Sequence, residues 1–255
     1  MINCGGNLFF MQRGIVWITL DSLRRDHVTL DGYDRPTTPN IEAIATQSAG
    51  EWTDTCYAQG RWSPASTASI LTGTYLPTHG VGATSPDVSE VPEELATLPE
   101  LLRNQEYATA GLSTNIYFGE TTGLDAGFEK FVRFTKRNLH RTAGARSLLK
   151  YMLNINRYGG GFTTTGEAHN RTTFLSDVAK RWITNVTQAQ DPFFMYAHIN
   201  STHYSFTPPK AFAEQFLPDD VSFSKARELS FDIFDDVHEV MAGGCDLSKR
   251  EWKII

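Results

Sequence analysis

Two residue types in this chain stand where chemistry is possible. Asp21 follows directly on the apolar run GIVWITL (14–20), and Ser63 opens SPASTASILTG (63–73). A carboxylate at the end of a buried strand is costly unless it is paired or metal-bound. A serine hydroxyl is a poor nucleophile at neutral pH until a base or a metal acts on it. A divalent cation lowers the hydroxyl pKa, orients it and stabilises transition-state charge. Asp21 and Ser63 together therefore suggest a metal-activated nucleophile. His203, in HINSTHYSFTPP, follows another apolar run and is of a type that donates to a leaving oxygen or binds a non-bridging one. Each has a plainer reading. Asp21 can cap a helix or join a salt bridge near Arg24, and Ser63 before Pro64 is good helix-capping chemistry. His198 reads as a buried, hydrogen-bonded core residue and His79, in PTHG, as a turn fixture.

The elements that must position these residues follow from the apolar pattern. GIVWITL is continuous and β-branched, the pattern of a parallel strand covered on both faces. Asn40 can cap a helix over IEAIATQSA that stops at Gly50, and residues 66–72 form a short helix beside Ser63. A surface loop over 84–97, a helix in LPELLRNQ and a second strand, YATAGLSTN, ending at Asn115 come next. GLDAGFEKF is turn-rich. Residues 136–158 are basic and helical, either a solvated amphipathic helix or a contact surface for an anion. A loop (159–167), a helix (173–188), a third strand FFMYAHIN (193–200), a loop ending at Pro208-Pro209 and a helix over 223–241 complete the reading. This alternation argues for an α/β fold, a doubly wound, mostly parallel sheet with helices on both faces. Such sheets gather ligands at the carboxyl ends of their strands. Asp21, Asn115 and the 198–203 segment all fall there, and Ser63 opens a helix whose N-terminus favours an anion.

The bulk numbers narrow the classes. The chain has 255 residues, with 40% hydrophobic and 12% aromatic residues, enough for one large α/β domain over 11–255. Residues 1–10 read as a loose extension before Met11. A net charge of −6 does not favour nucleic-acid binding. Cys4, Cys56 and Cys245 are too far apart for a zinc ribbon and read as reduced thiols. No stretch is a transmembrane span or a signal peptide, so the expected location is cytoplasmic, and the sequons at Asn170, Asn185 and Asn200 read as chance.

Four blocks, in order, resemble the sulfatase family of the alkaline phosphatase superfamily: TLDSLRRDHVTLDGYDRPTTPNIEAIA, SPASTASILTG, ATAGLSTNIYFGETTGLDAGFEKF and PFFMYAHINSTHYSFTPPKAF. The resemblance implies an alkaline-phosphatase-like fold and a hydrolase of sulfate or phosphate esters, small or polymeric. It implies that Asp21 binds a divalent metal, with Ser22 where many sulfatases carry a second Asp. It implies Ser63 as nucleophile and His203 on the transferring group, and assigns Asn115 and Thr67 to substrate binding. Ala65 and Thr67 stand where Pro and Arg are usual, so the nucleophile is either formylglycine made from Ser63 or unmodified Ser63, the latter as in phosphotransfer chemistry. Calcium or magnesium is favoured, with manganese or zinc as alternatives. The Lys-x-His pair of many sulfatases and a late Ser-Asp-His-Gly-like motif are missing, and Asp235 and Asp236 look like a helix face. The domain is thus expected to be incomplete at its C-terminus. The alternatives are a catalytically incomplete fragment acting as a binding or interaction module, or a metal-dependent phosphodiesterase or phosphotransferase using unmodified Ser63.

Overall fold

A computed structural model describes residues 14–84, 88–162, 169–235, 237–244 and 247–254. The chain order is β1 (Gly14–Leu20), α1 (Pro39–Ala45), α2 (Ser63–Thr72), α3 (Leu76–His79), α4 (Leu98–Arg103), β2 (Ala108–Ser113) and β3 (Lys130–Arg133). Then come α5 (Leu139–Ala143), α6 (Ala145–Leu153), α7 (Ile155–Tyr158), α8 (Thr172–Ala189), β4 (Phe193–Ile199), α9 (Lys210–Ala213), α10 (Phe223–Asp235) and α11 (Val237–Met241). The four strands form one sheet in the order β1-β4-β2-β3, and every pairing is parallel.

Side-chain alternation on the strands builds a core on each face. Met195 and Ala197 of β4, with Ala110 and Leu112 of β2, meet Phe174, Leu175 and Val178 of α8 and Tyr151 of α6. On the other face Phe194 and Tyr196 meet Ala68 and Leu71 of α2 together with Phe118 and Leu124. Helices on both faces of a parallel sheet make this the expected doubly wound α/β architecture. Gly111 in β2 gives the second face its close contact, since a Cβ there would lie 2.8 Å from the Phe131 ring.

Several boundaries differ from the expectations. The first helix is shorter than IEAIATQSA suggests: Thr38 precedes it, Asn40 lies inside it, and Thr46 follows its end, because the Pro39 ring suits a helix's first turn. The basic stretch 136–158 is three short helices, with Gly144 (φ 79°) and Asn154 at the junctions. Lys130–Arg133 forms a strand that the turn-rich reading of GLDAGFEKF did not give. The largest correction concerns β1. It is an edge strand, and Ile15, Val16, Trp17 and Ile18 are 40–56% exposed rather than covered on both faces. Among the described residues only β4 pairs with it. The 1–10 extension and Asp236 lie outside the described residues. No helix among the described residues is long and apolar enough to cross a membrane.

Candidate active site

The strand order explains why distant residues meet. β1, β4 and β2 are neighbours, and their carboxyl ends are level: Leu20 pairs with Ile199, and Ser113 with His198. Adjacent strands lie about 4.8 Å apart, so the residues at the ends of these three strands fall within reach of one another. The ladder continues one step beyond them, where the Asp21 amide donates to Ile199 O (2.9 Å) and the Thr114 amide to His198 O (3.1 Å). Thr202 Oγ1 donates to the Asp21 carbonyl at 2.6 Å. Ser22 turns the chain away in a left-handed conformation (φ 61°), uncommon for a residue other than glycine. Its hydroxyl donates to Asp21 Oδ1 at 3.2 Å.

Asp21 Oδ2 is the hub of the site. Ser63 Oγ donates to it at 2.9 Å, Asn115 Nδ2 at 2.9 Å, and His198 Nε2 lies at 3.2 Å. Ser63 is the first residue of α2, after Trp62, and that helix start has no side-chain cap. The Ser63 hydroxyl is therefore directed at a carboxylate from 42 residues upstream, not at its own helix. Burial pushes the Asp21 carboxyl up, but hydrogen bonds from His198 and Ser63, with the charges of His198 and His203, outweigh burial and hold it down at about 2. At neutral pH Asp21 is thus an anion that orients the Ser63 O–H and is too weak a base to remove its proton on its own.

The supporting residues are buried. Asn115 is 3% exposed, and its Oδ1 accepts from the Tyr117 amide at 2.7 Å, which aims Nδ2 at Asp21. His198 is 2% exposed. Behind it, Nδ1 faces Tyr196 OH at 3.4 Å and Thr67 Oγ1 at 3.5 Å, the outer edge of hydrogen-bond range. Burial pushes the Tyr196 phenol up to about 12, so it remains a donor at neutral pH.

Of the residues singled out in the sequence, Asp21, Ser63 and Asn115 come together directly. Thr67 is buried and reaches the group only through His198. His203 stands apart: it bonds neither Asp21 nor Ser63 and lines a small polar pocket of about 70 Å³ with Thr114, Arg171 and Asn200. Its Nδ1–H donates to Tyr204 O at 2.6 Å, and the two rings lie 4.1 Å apart. His198 was readable as a buried histidine but not as a partner of Asp21, because no local pattern gives the strand order that joins them.

The described residues do not by themselves make a metal site. Among the described residues no group of three or more His, Cys, Asp or Glu can hold an ion. The hub supplies one carboxylate and one imidazole, whereas calcium takes about six to eight oxygens and magnesium about six.

Known proteins give the wider setting. A sulfatase family model matches residues 13–227. Phosphonate monoester hydrolase of Agrobacterium radiobacter is similar in structure, with a TM-score of 0.57 and 18% identity over 82% of this chain and 44% of that one. BT4656, solved with its substrate D-glucosamine-2-N,6-O-disulfate, is similar at a TM-score of 0.56 and 19% identity over 95% of this chain and 52% of that one. Lipoteichoic acid synthase LtaP from Listeria monocytogenes is similar at a TM-score of 0.52 and 17% identity over 91% and 53%. The chain thus spans about half the length of these solved relatives. No curated protein matches it.

Proposed function

The chain belongs to the sulfatase family, and from that premise we propose that it cleaves sulfate or phosphate esters by attack of the Ser63 hydroxyl. The observation that carries this reading is the 2.9 Å bond from Ser63 Oγ to the buried Asp21 carboxylate, at the level carboxyl ends of three parallel strands. Asp21 fixes the direction of the O–H, while Asn115 and His198 fix Asp21. The N-terminus of α2 carries partial positive charge that favours an anionic ester beside Ser63. His203 serves the leaving oxygen. Its Nδ1 proton is committed to Tyr204 O, so Nε2 accepts a proton in the neutral ring and donates one in the imidazolium. Thr67 steadies His198 from behind.

A divalent cation belongs to this reading, with calcium or magnesium favoured by an oxygen donor such as Asp21. When bound it supplies Lewis-acid activation of the hydroxyl. Its ligand set is not completed by the described residues. Ala65 and Thr67 at the places of the usual Pro and Arg favour unmodified Ser63. Such a nucleophile suits phosphate ester and phosphotransfer chemistry as well as sulfate esters.

Turnover of 4-nitrophenyl sulfate and 4-nitrophenyl phosphate, with each candidate metal added, tests the proposal. Ser63→Ala should lower turnover by at least about a thousandfold. Equal rates in Ser63→Ala and the parent chain would overturn it. The incomplete metal ligand set favours a second reading, a non-catalytic binding module. Under that reading the parent chain retains a sulfated or phosphorylated ester without turning it over.

A further inference from the structure

A second cavity, of about 240 Å³, lies between the 206–230 region and the Tyr33–Thr37 loop. None of Asp21, Ser63, Asn115, His198 or His203 lines it. Tyr33, Phe206, Phe216 and Phe223 form its apolar wall, and Arg35 and Arg227 also line it. No carboxylate side chain is among its described lining residues. Arg227 is already engaged: its Nη1 donates to Gly160 O at 3.2 Å and its guanidinium lies 5.7 Å from the Phe223 ring centre. Arg35 differs. It is half-buried, and its guanidinium makes no hydrogen bond or ion pair among the described residues. A guanidinium partly removed from water, with no acceptor, is costly. Its planar fork matches a carboxylate in bidentate fashion. The volume exceeds the roughly 150 Å³ that holds a benzene ring in a protein interior, and an apolar pocket with a few convergent polar groups is the usual form of a small-molecule site.

We propose that this cavity binds a small carboxylate with a one- or two-ring aromatic body, the ring against the aromatic wall and the carboxylate on Arg35. The site does not depend on the ester chemistry, because none of the proposed catalytic residues lines it. Calorimetric titration of the full chain with 1-naphthoate tests it, with neutral 1-naphthamide as the control of equal shape. Naphthoate should bind saturably at one equivalent. Naphthamide should bind about tenfold more weakly, and so should naphthoate to Arg35→Gln, the loss expected for one charge-assisted contact. Ala213→Phe, which fills the cavity from another wall residue, should abolish binding and serves if Arg35→Gln fails to fold. Equal affinity for naphthoate and naphthamide, unchanged binding by Arg35→Gln or Ala213→Phe, or no saturable binding by the folded parent chain would each overturn the proposal.

Discussion

Three groups converge on one oxygen of Asp21, and the carboxyl is held at about 2, below its ordinary 3.8. The folded protein therefore favours the charged form of Asp21. Asp21→Asn should destabilise the fold at pH 7 by about 1–3 kcal/mol, as Ser63 and His198 lose their charged acceptor. The shift in urea midpoint checks this. A like result for Asp21→Asn and the parent would mean that the hub adds nothing to stability. His79 gives the pH prediction. It is 1% exposed, Nδ1 accepts from the Val81 amide at 3.1 Å, and Nε2 faces Ser69 Oγ at 2.9 Å. Burial lowers its pKa from 6.5. The stability gained by keeping this ring neutral is present above pH 6.5 and is lost as pH falls below that value, because the unfolded chain takes up the proton first. Urea midpoints should fall from pH 7 to pH 5, and less steeply in His79→Gln than in the parent.

At the scale of elements, α4 begins with a reciprocal cap: the Thr97 hydroxyl and Glu100 carboxylate satisfy the first turn, and the Thr97 amide donates to Glu100 Oε2 at 2.7 Å. Thr97→Ala should cost about 1 kcal/mol in chemical denaturation. This scale also marks what the sequence could tell. GIVWITL and FFMYAHI announce strands because their apolar runs are long and β-branched or aromatic. SPASTASILTG announces a helix stopped by Gly73, which takes the left-handed conformation (φ 67°) at the helix end. Lys130–Arg133 escapes because four residues carry too little alternation to be told from the turns around them. The meeting of His198 with Asp21 escapes for a different reason. It follows from β4 lying beside β1, a long-range choice that no local spacing encodes. The positions at strand ends were legible. Which strand ends touch was not.

At the scale of the whole molecule, the sheet has one apolar flank. Ile15, Val16, Trp17 and Ile18 are exposed on an edge strand whose outer hydrogen-bonding side is unpaired among the described residues. Exposed apolar edges are templates for association. The chain should therefore self-associate with rising concentration in sedimentation velocity, and Ile18→Lys should reduce that tendency without loss of helical signal in circular dichroism. A concentration-independent monomer in both proteins would count against the edge as a sticky surface.

The position of β4 also sets an order in time. It is the last of the described strands in chain order, yet it lies between β1 and β2. During synthesis β1 emerges before β4 and, among the described residues, has no partner until Phe193–Ile199 follows. At about 5–20 residues per second, a ribosome leaves GIVWITL unpaired for roughly ten to forty seconds. Asp21 cannot meet His198 before that insertion is complete. The hub around Asp21 is therefore a late product of folding, and its assembly reports that the middle strand has entered the sheet.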